Sequence, residues 1–170
     1  HFCFVNLLPI FGVQSKKLKD PSLIYKDYIK EYIRQFDPDL LSYDYYPFLN
    51  NQKSPVANLF FIHLRLMREC AQKAHLPFMN IIQSSDFLKN DWNMPTAAQL
   101  RWQVYNTLAY GGRGISYFLY WGPKAQGGMY QDGEKTPLVD AAANLNREMK
   151  ALSPTLMAND EIPFLQPGNY

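Results

Sequence analysis

The chain has 170 residues, 47% hydrophobic and 19% charged, a globular balance that excludes a disordered chain and suffices for one domain with a real core. A net charge of +2 without a continuous basic helix face argues against nucleic acid as a partner, and no run of about 18 apolar residues is present to span a bilayer. Aromatic residues make up 15%, with twelve Tyr, eleven Phe and three Trp, whose flat faces and polar edges suit either a core or the rings of a sugar.

The apolar run 2–8 reads as a strand ended by Pro9. The chain opens inside this strand with no signal peptide before it, which predicts that preceding units are missing. Asp20-Pro21 supplies an N-cap followed by proline at the first helical position. The helix 21–36 then places Leu23, Ile24, Tyr28, Ile29, Tyr32 and Ile33 on its buried face. A second strand, 40–48, lies between Pro38 and Pro47 and carries one carboxylate, Asp44, in an otherwise apolar and aromatic run. Ser54-Pro55 opens a helix to about residue 75, with Leu59, Ile62, Leu66 and Met67 at core spacing.

The third strand, 78–84, leads into a polar loop, 85–95, containing Asp86, Asp91 and Trp92. Thr96 and Gln99 form a capping box for a helix that reaches Tyr110, where Gly111-Gly112 provides the left-handed stop. The fourth strand, 115–121, is bounded by Gly114 and Gly122-Pro123, and a Gly-rich turn or hairpin with Asp132 and Glu134 follows. Thr136-Pro137 opens the last helix, which runs to about residue 152 before Pro154. Residues 1–156 read as one α/β unit, and 157–170, with two prolines and no periodic pattern toward its end, as a linker toward a missing C-terminal domain or the first strand of one. Cys3 and Cys70 read as free buried thiols, and neither the cysteines nor His63 and His75 show metal-ligand spacing.

Strand and helix alternate four times, the sequence form of consecutive parallel βα units. Two architectures fit, an open doubly wound sheet or half of a TIM-type (β/α)8 barrel. A nucleotide-binding version of the first should show a glycine-rich turn after strand one, and Pro9-Ile10-Phe11-Gly12 has none. That favours the barrel. A whole barrel needs about 250 residues, so four units make half of one.

Several segments carry a resemblance: Phe4-Val5-Asn6-Leu7-Leu8-Pro9, Leu41-Ser42-Tyr43-Asp44-Tyr45-Tyr46-Pro47, Leu100-Arg101-Trp102-Gln103-Val104-Tyr105, Gly114-Ile115-Ser116-Tyr117-Phe118, and Thr136-Pro137-Leu138 with Leu145-Asn146-Arg147-Glu148. In order and spacing they resemble the C-terminal half of retaining glycoside hydrolase barrels, the β-galactosidase-like family 42 and its relatives. The resemblance implies barrel strands five to eight, a missing N-terminal half-barrel as partner, and a carbohydrate substrate of β-linked, galactoside-like type. It implies no cofactor, because the chemistry uses two carboxyl groups about 5 to 5.5 Å apart, one as acid/base and one as nucleophile. A glycan substrate in turn implies a periplasmic or extracellular location.

The acid/base glutamate of such enzymes ends strand four, which here would precede residue 1, and the nucleophile ends strand seven. The third strand of this chain ends Ile82-Gln83-Ser84-Ser85-Asp86, so Gln83 holds the nucleophile position without a carboxylate. An amide there hydrogen-bonds a hydroxyl but cannot form a glycosyl ester. Either Asp86 substitutes for it, or the barrel binds carbohydrate without cleaving it. Strand parity sends Ser42, Asp44 and Tyr46 to one face and Leu41, Tyr43 and Tyr45 to the other. The substrate-binding candidates are Asn6, Asp44, Tyr46, Trp92 and Trp121. The aromatic rings among them offer platforms for a sugar face, and Asp44 and Asn6 offer polar groups to its hydroxyls. Asn80, an amide in an otherwise apolar strand, is expected in a polar network in the lumen or at its base. A third reading makes the half-barrel an assembly module whose open edges pair in a homo-oligomer.

Overall fold

The computed structural model describes residues 4–10, 21–49, 56–86, 93–122 and 127–158. In chain order the elements are β1 (Asn6–Leu7), α1 (Pro21–Phe36), β2 (Leu41–Tyr45), α2 (Val56–Ala74), β3 (Phe78–Gln83), α3 (Ala97–Ala109), β4 (Gly114–Phe118), β5 (Tyr130–Gln131), β6 (Glu134–Lys135) and α4 (Pro137–Ala158). Strands β1 to β4 form one parallel sheet in sequential order, β1-β2-β3-β4, and β5 and β6 make a separate antiparallel hairpin.

Sequential order alone does not distinguish a barrel from a wound sheet, but the side on which the helices lie does. Register aligns Leu7 with Tyr43, Tyr43 with Asn80 and Asn80 with Ile115, so these residues share one face of the sheet. On that face Tyr43 and Tyr45 meet His63 of α2, Asn80 bonds Thr107 of α3, and Tyr117 bonds Asn146 of α4. The hydroxyls of Tyr28 and Tyr32 on α1 accept from the main chain of Leu8 and Val5 beside β1. Helices that cover one face leave the other for a lumen. The fold is α/β, four consecutive parallel βα units of the kind that make half of a (β/α)8 barrel.

Two apolar clusters lie under the helices. The first gathers Tyr25, Ile29, Tyr43, Tyr45, Phe60, Leu64 and Met67, the second Ile82, Leu100, Val104, Leu138 and Leu145. Fully burying one such aliphatic or aromatic side chain contributes about 1.5–3 kcal/mol. On α1 the buried stripe is Tyr25, Ile29 and Tyr32, whereas Leu23, expected inside, is 57% exposed. Residues 25, 29 and 32 follow the i, i+4, i+7 spacing, and residue 23 falls about 200° around the helix from residue 25.

The capping box expected before α3 is present: Thr96 Oγ1 accepts from the Gln99 N–H at 3.2 Å, and Gln99 Oε1 accepts from the Thr96 N–H at 2.8 Å. Thr96→Ala is expected to cost about 1 kcal/mol, read as a lower urea midpoint at unchanged slope. At the other end Gly111, at φ +86, supplies the left-handed residue that stops the helix.

Four boundaries differ from the sequence reading by more than a residue or two. Strand β2 is Leu41–Tyr45 rather than 40–48, because its pairing with β3 ends at Tyr45 opposite Ile82. Strand β1 is only Asn6–Leu7, because it pairs over two residues, Asn6 with Ser42 and Leu7 with Tyr43. Strand β4 ends at Phe118, where its partner β3 ends at Gln83, so Trp121 lies beyond the sheet. Helix α4 passes through Pro154 to Ala158. Proline at 154 has no N–H for the Lys150 carbonyl, and the Ser153 hydroxyl donates to that carbonyl at 2.9 Å instead. Met157 and Ala158, assigned to the linker, are therefore helical, and 159–170 lie outside the described residues. The β5–β6 hairpin turns through Asp132 and Gly133 at φ +51 and +88, both positive as a two-residue type I′ turn requires. Cys70 is a buried free thiol, while Cys3 lies outside the described residues. No helix among the described residues is long and apolar enough to cross a membrane.

Candidate functional site

The face opposite the helices carries the other parity: Asn6, Ser42 and Asp44 with Ile81 and Gln83 of β3 and Ser116 and Phe118 of β4. Tyr46, just past β2, stacks its ring on Phe118 at 5.3 Å and 29°, which places it on the same side. Asn6, Asp44 and Tyr46 are thus brought together: Asn6 opens β1, and Asp44 and Tyr46 lie toward and past the C-terminal end of β2, the end at which barrel sites form.

These side chains form one hydrogen-bonded row. Ser42 Oγ donates to Asn6 Oδ1 at 2.9 Å, and Asn6 Nδ2 donates to Asp44 Oδ1 at 2.5 Å. The Tyr46 hydroxyl is also bonded to the Asp44 carboxylate. Burial pushes the Asp44 carboxyl up from its ordinary range, against the bonds from Asn6 and Tyr46 that pull it down. The same burial, with the Asp44 charge beside it, raises the Tyr46 phenol, so Tyr46 stays a neutral donor. Asn6 is exposed and Asp44 half-buried, so the row is open on the lumen side. An array of carboxylate, phenol, amide and hydroxyl beside the apolar surfaces of Ile81 and Phe118 can hold a molecule that presents hydroxyls on one edge and C–H groups on a face.

Gln83 ends β3 with its side chain fully buried. Its Oε1 accepts from the Phe48 N–H at 2.9 Å, and its Nε2 lies at hydrogen-bond distance from the carbonyls of Asn93 (2.9 Å), Phe48 and Ser85 (3.2 Å each). The amide that the sequence reading offered to a sugar hydroxyl is spent on main chain, tying the end of β3 to the segments after β2 and before α3. Gln103 of α3 holds the same residue from behind: its Oε1 accepts from the Gln83 N–H and its Nε2 donates to the Gln83 carbonyl, both at 2.9 Å. Sequence reasoning did not single out Gln103. Its signal is a glutamine at a core-facing position of α3, between Leu100 and Val104, where burial of an amide requires partners.

Asp86 is half-buried, and its Oδ1 accepts from the Gly127 N–H, joining the loop after β3 to the segment before β5. A Cβ at Gly127 would lie 2.4 Å from the Met94 methyl and 3.1 Å from Asp86 Oδ1, so a larger residue there would have to push the Met94 side chain aside. Trp121 is 57% exposed, and its main chain bridges Tyr130. Its neighbour Tyr120, 66% exposed, has its ring 5.1 Å from that of Tyr130. Trp92 lies outside the described residues. Asn80, expected in the lumen or at its base, is on the helix side, where its Nδ2 donates to Thr107 Oγ1 at 3.0 Å. The pleat decides this: residue 80 shares its parity with Phe78 and Ile82, which face the core. Phe118 was not singled out, and the register with Gln83 is what brings it to the site. Among the described residues no group of three His, Cys, Asp or Glu side chains is placed to hold a metal ion.

No family model, curated protein or solved structure matches the chain.

Proposed function

We propose that this chain is the second half of a (β/α)8 barrel of glycoside hydrolase lineage that binds a β-linked glycan at its C-terminal strand ends. The observation that carries the reading is the row Ser42–Asn6–Asp44–Tyr46, a set of donors and acceptors facing the lumen beside the ring of Phe118. Exposed Trp121 is the aromatic rim of the same site. Binding is favoured over hydrolysis by Gln83, whose amide is fully engaged at the position where a retaining enzyme needs a carboxylate. The remaining four βα units, preceding this chain, would cover the edge at β1, beside which Phe4, Val5 and Leu8 are exposed. A glycan ligand places the protein in the periplasm or outside the cell.

The test is calorimetric titration of the full-length parent protein with β-galactosides and other β-linked oligosaccharides, alongside turnover of chromogenic β-glycosides. Asp44→Asn is expected to weaken binding about tenfold, roughly 1.4 kcal/mol, with the unfolding midpoint little changed. Turnover in the parent that Asp86→Asn abolishes would make the protein a hydrolase with its nucleophile at Asp86. A parent that neither binds nor cleaves any of these sugars would end the carbohydrate reading.

A further inference from the structure

On the outer side of the helix layer, remote from the lumen row, a cavity of about 330 Å³ opens between α1 and α2. Its walls are one stripe of each helix: Lys26, Lys30, Ile33 and Arg34 at i, i+4, i+7 and i+8 on α1, and Glu69, Cys70, Lys73 and Ala74 on α2. The trench exists because Cys70 and Ala74, four residues apart on α2, are too small to fill the space opposite Ile33. Its floor is apolar and its rim is cationic.

The charges around it do not balance. Among the described residues Glu69 is the one carboxylate in the lining, and it already meets Lys26 at 2.5 Å and Arg65 at 3.5 Å. Lys30 pairs with Asp27 of its own helix in an exposed i, i+3 contact that contributes little and is readily exchanged for another anion, whereas Arg34 is held by Glu31 in a bidentate pair. Lys73 makes no ion pair or hydrogen bond among the described residues. An apolar trench with a surplus of ammonium and guanidinium groups at its rim is complementary to an anionic head on a short hydrocarbon body. Its extent along α1, from Lys26 to Arg34, is about 12 Å at the helical rise, which suits one small molecule rather than a folded partner.

We propose that the α1–α2 trench is a binding site for a small amphiphilic carboxylate, with Lys73 and its cationic neighbours on the head and Ile33, Cys70 and Ala74 under the alkyl chain. The site is separate from the lumen row and does not depend on the glycan reading. Cys70 on the floor serves as its reporter. Burial holds that thiol above its ordinary range, so alkylation is followed at alkaline pH, with Cys70 and Cys3 resolved by peptide mass spectrometry.

In the intact protein, octanoate is expected to slow alkylation of Cys70 by iodoacetamide at least fivefold at saturation, while 1-octanol at the same concentration does not. Lys73→Glu is expected to abolish the protection, judged against the variant's own rate without octanoate, because loss of the ammonium also raises the Cys70 thiol. No protection by millimolar octanoate would overturn the proposal, as would equal protection by 1-octanol or full protection in Lys73→Glu. Protection by an acidic peptide with none by octanoate would overturn it in favour of a protein-docking groove.

Discussion

Gln83→Glu is expected to destabilise the fold by about 3 kcal/mol at neutral pH and to confer no glycosidase activity. The side chain at this position faces three carbonyl oxygens and one N–H, all main chain. A carboxylate satisfies only the N–H from Phe48 and directs its charge at the carbonyls of Phe48, Ser85 and Asn93, and an uncompensated buried charge costs several kcal/mol. The variant carboxyl therefore keeps its proton in the folded state, with a pKa raised above the ordinary value of about 4.3. The linkage has a definite sign. A carboxyl whose folded pKa is raised gives up its proton more readily when unfolded, so stability is lost as pH rises above about 4.3 and recovers as pH falls toward it. Gln83→Ala removes the donors without adding a charge and is expected to lose a similar amount with no such pH dependence. Urea unfolding of both variants between pH 4 and 7 separates the two cases. An unchanged midpoint for Gln83→Glu at neutral pH would mean that this side chain is free to reach the lumen, and would restore the position to the list of catalytic candidates.

The same residue shows how far the sequence could be read. The βα order was legible because each strand run is apolar and bounded by proline or glycine, and each helix carries its own start signal, Thr96-Gln99 most clearly. Parity then placed Ser42, Asp44 and Tyr46 on one face, since alternation along a strand needs no tertiary information. Hydrogen-bond partners were not legible. That Asn6 meets Asp44 depends on a parallel register between strands 38 residues apart, which nothing local to either strand specifies. Gln83 at a strand end has the same local sequence whether it faces a ligand or three loop carbonyls. The loops decide, and they are held by main-chain bonds that leave no trace in residue type. Pro154 misled for a related reason: its usual helix-breaking cost is reduced where Ser153 bonds the orphaned carbonyl.

Acidification from pH 7 to pH 5 is expected to cost the protein about 2 kcal/mol through one side chain, His63. The imidazole is fully buried on α2, with ring centroids of Tyr45, Tyr25 and Tyr43 at 4.7, 5.0 and 5.9 Å. Its Nε2 accepts from the Ile10 N–H at 3.0 Å, so the neutral ring carries its proton on Nδ1, for which no acceptor stands among the described residues. Burial, with no carboxylate to compensate, lowers the pKa from 6.5 to about 3. Below about pH 6.5 the unfolded chain therefore takes up a proton that the folded chain refuses, and stability falls by up to about 1.4 kcal/mol per pH unit until the folded pKa is reached. The lowered carboxyls, Glu31, Glu69 and Glu148, cost stability only as pH falls through the ordinary carboxylate range, and the raised Asp44 acts in the opposite sense. Comparison with a variant that cannot titrate at residue 63 assigns the loss between pH 7 and 5 to the histidine. In His63→Gln the side-chain oxygen can still accept from Ile10, but the residue does not titrate. The variant is expected to be less stable than the parent at pH 7, having lost the ring contacts, and to show a flat profile down to pH 5, so that the two urea-midpoint curves converge in acid. An equal loss of stability in parent and variant over that window would show that the proton is taken up elsewhere and that His63 is not the acid-sensitive point of the α2 core.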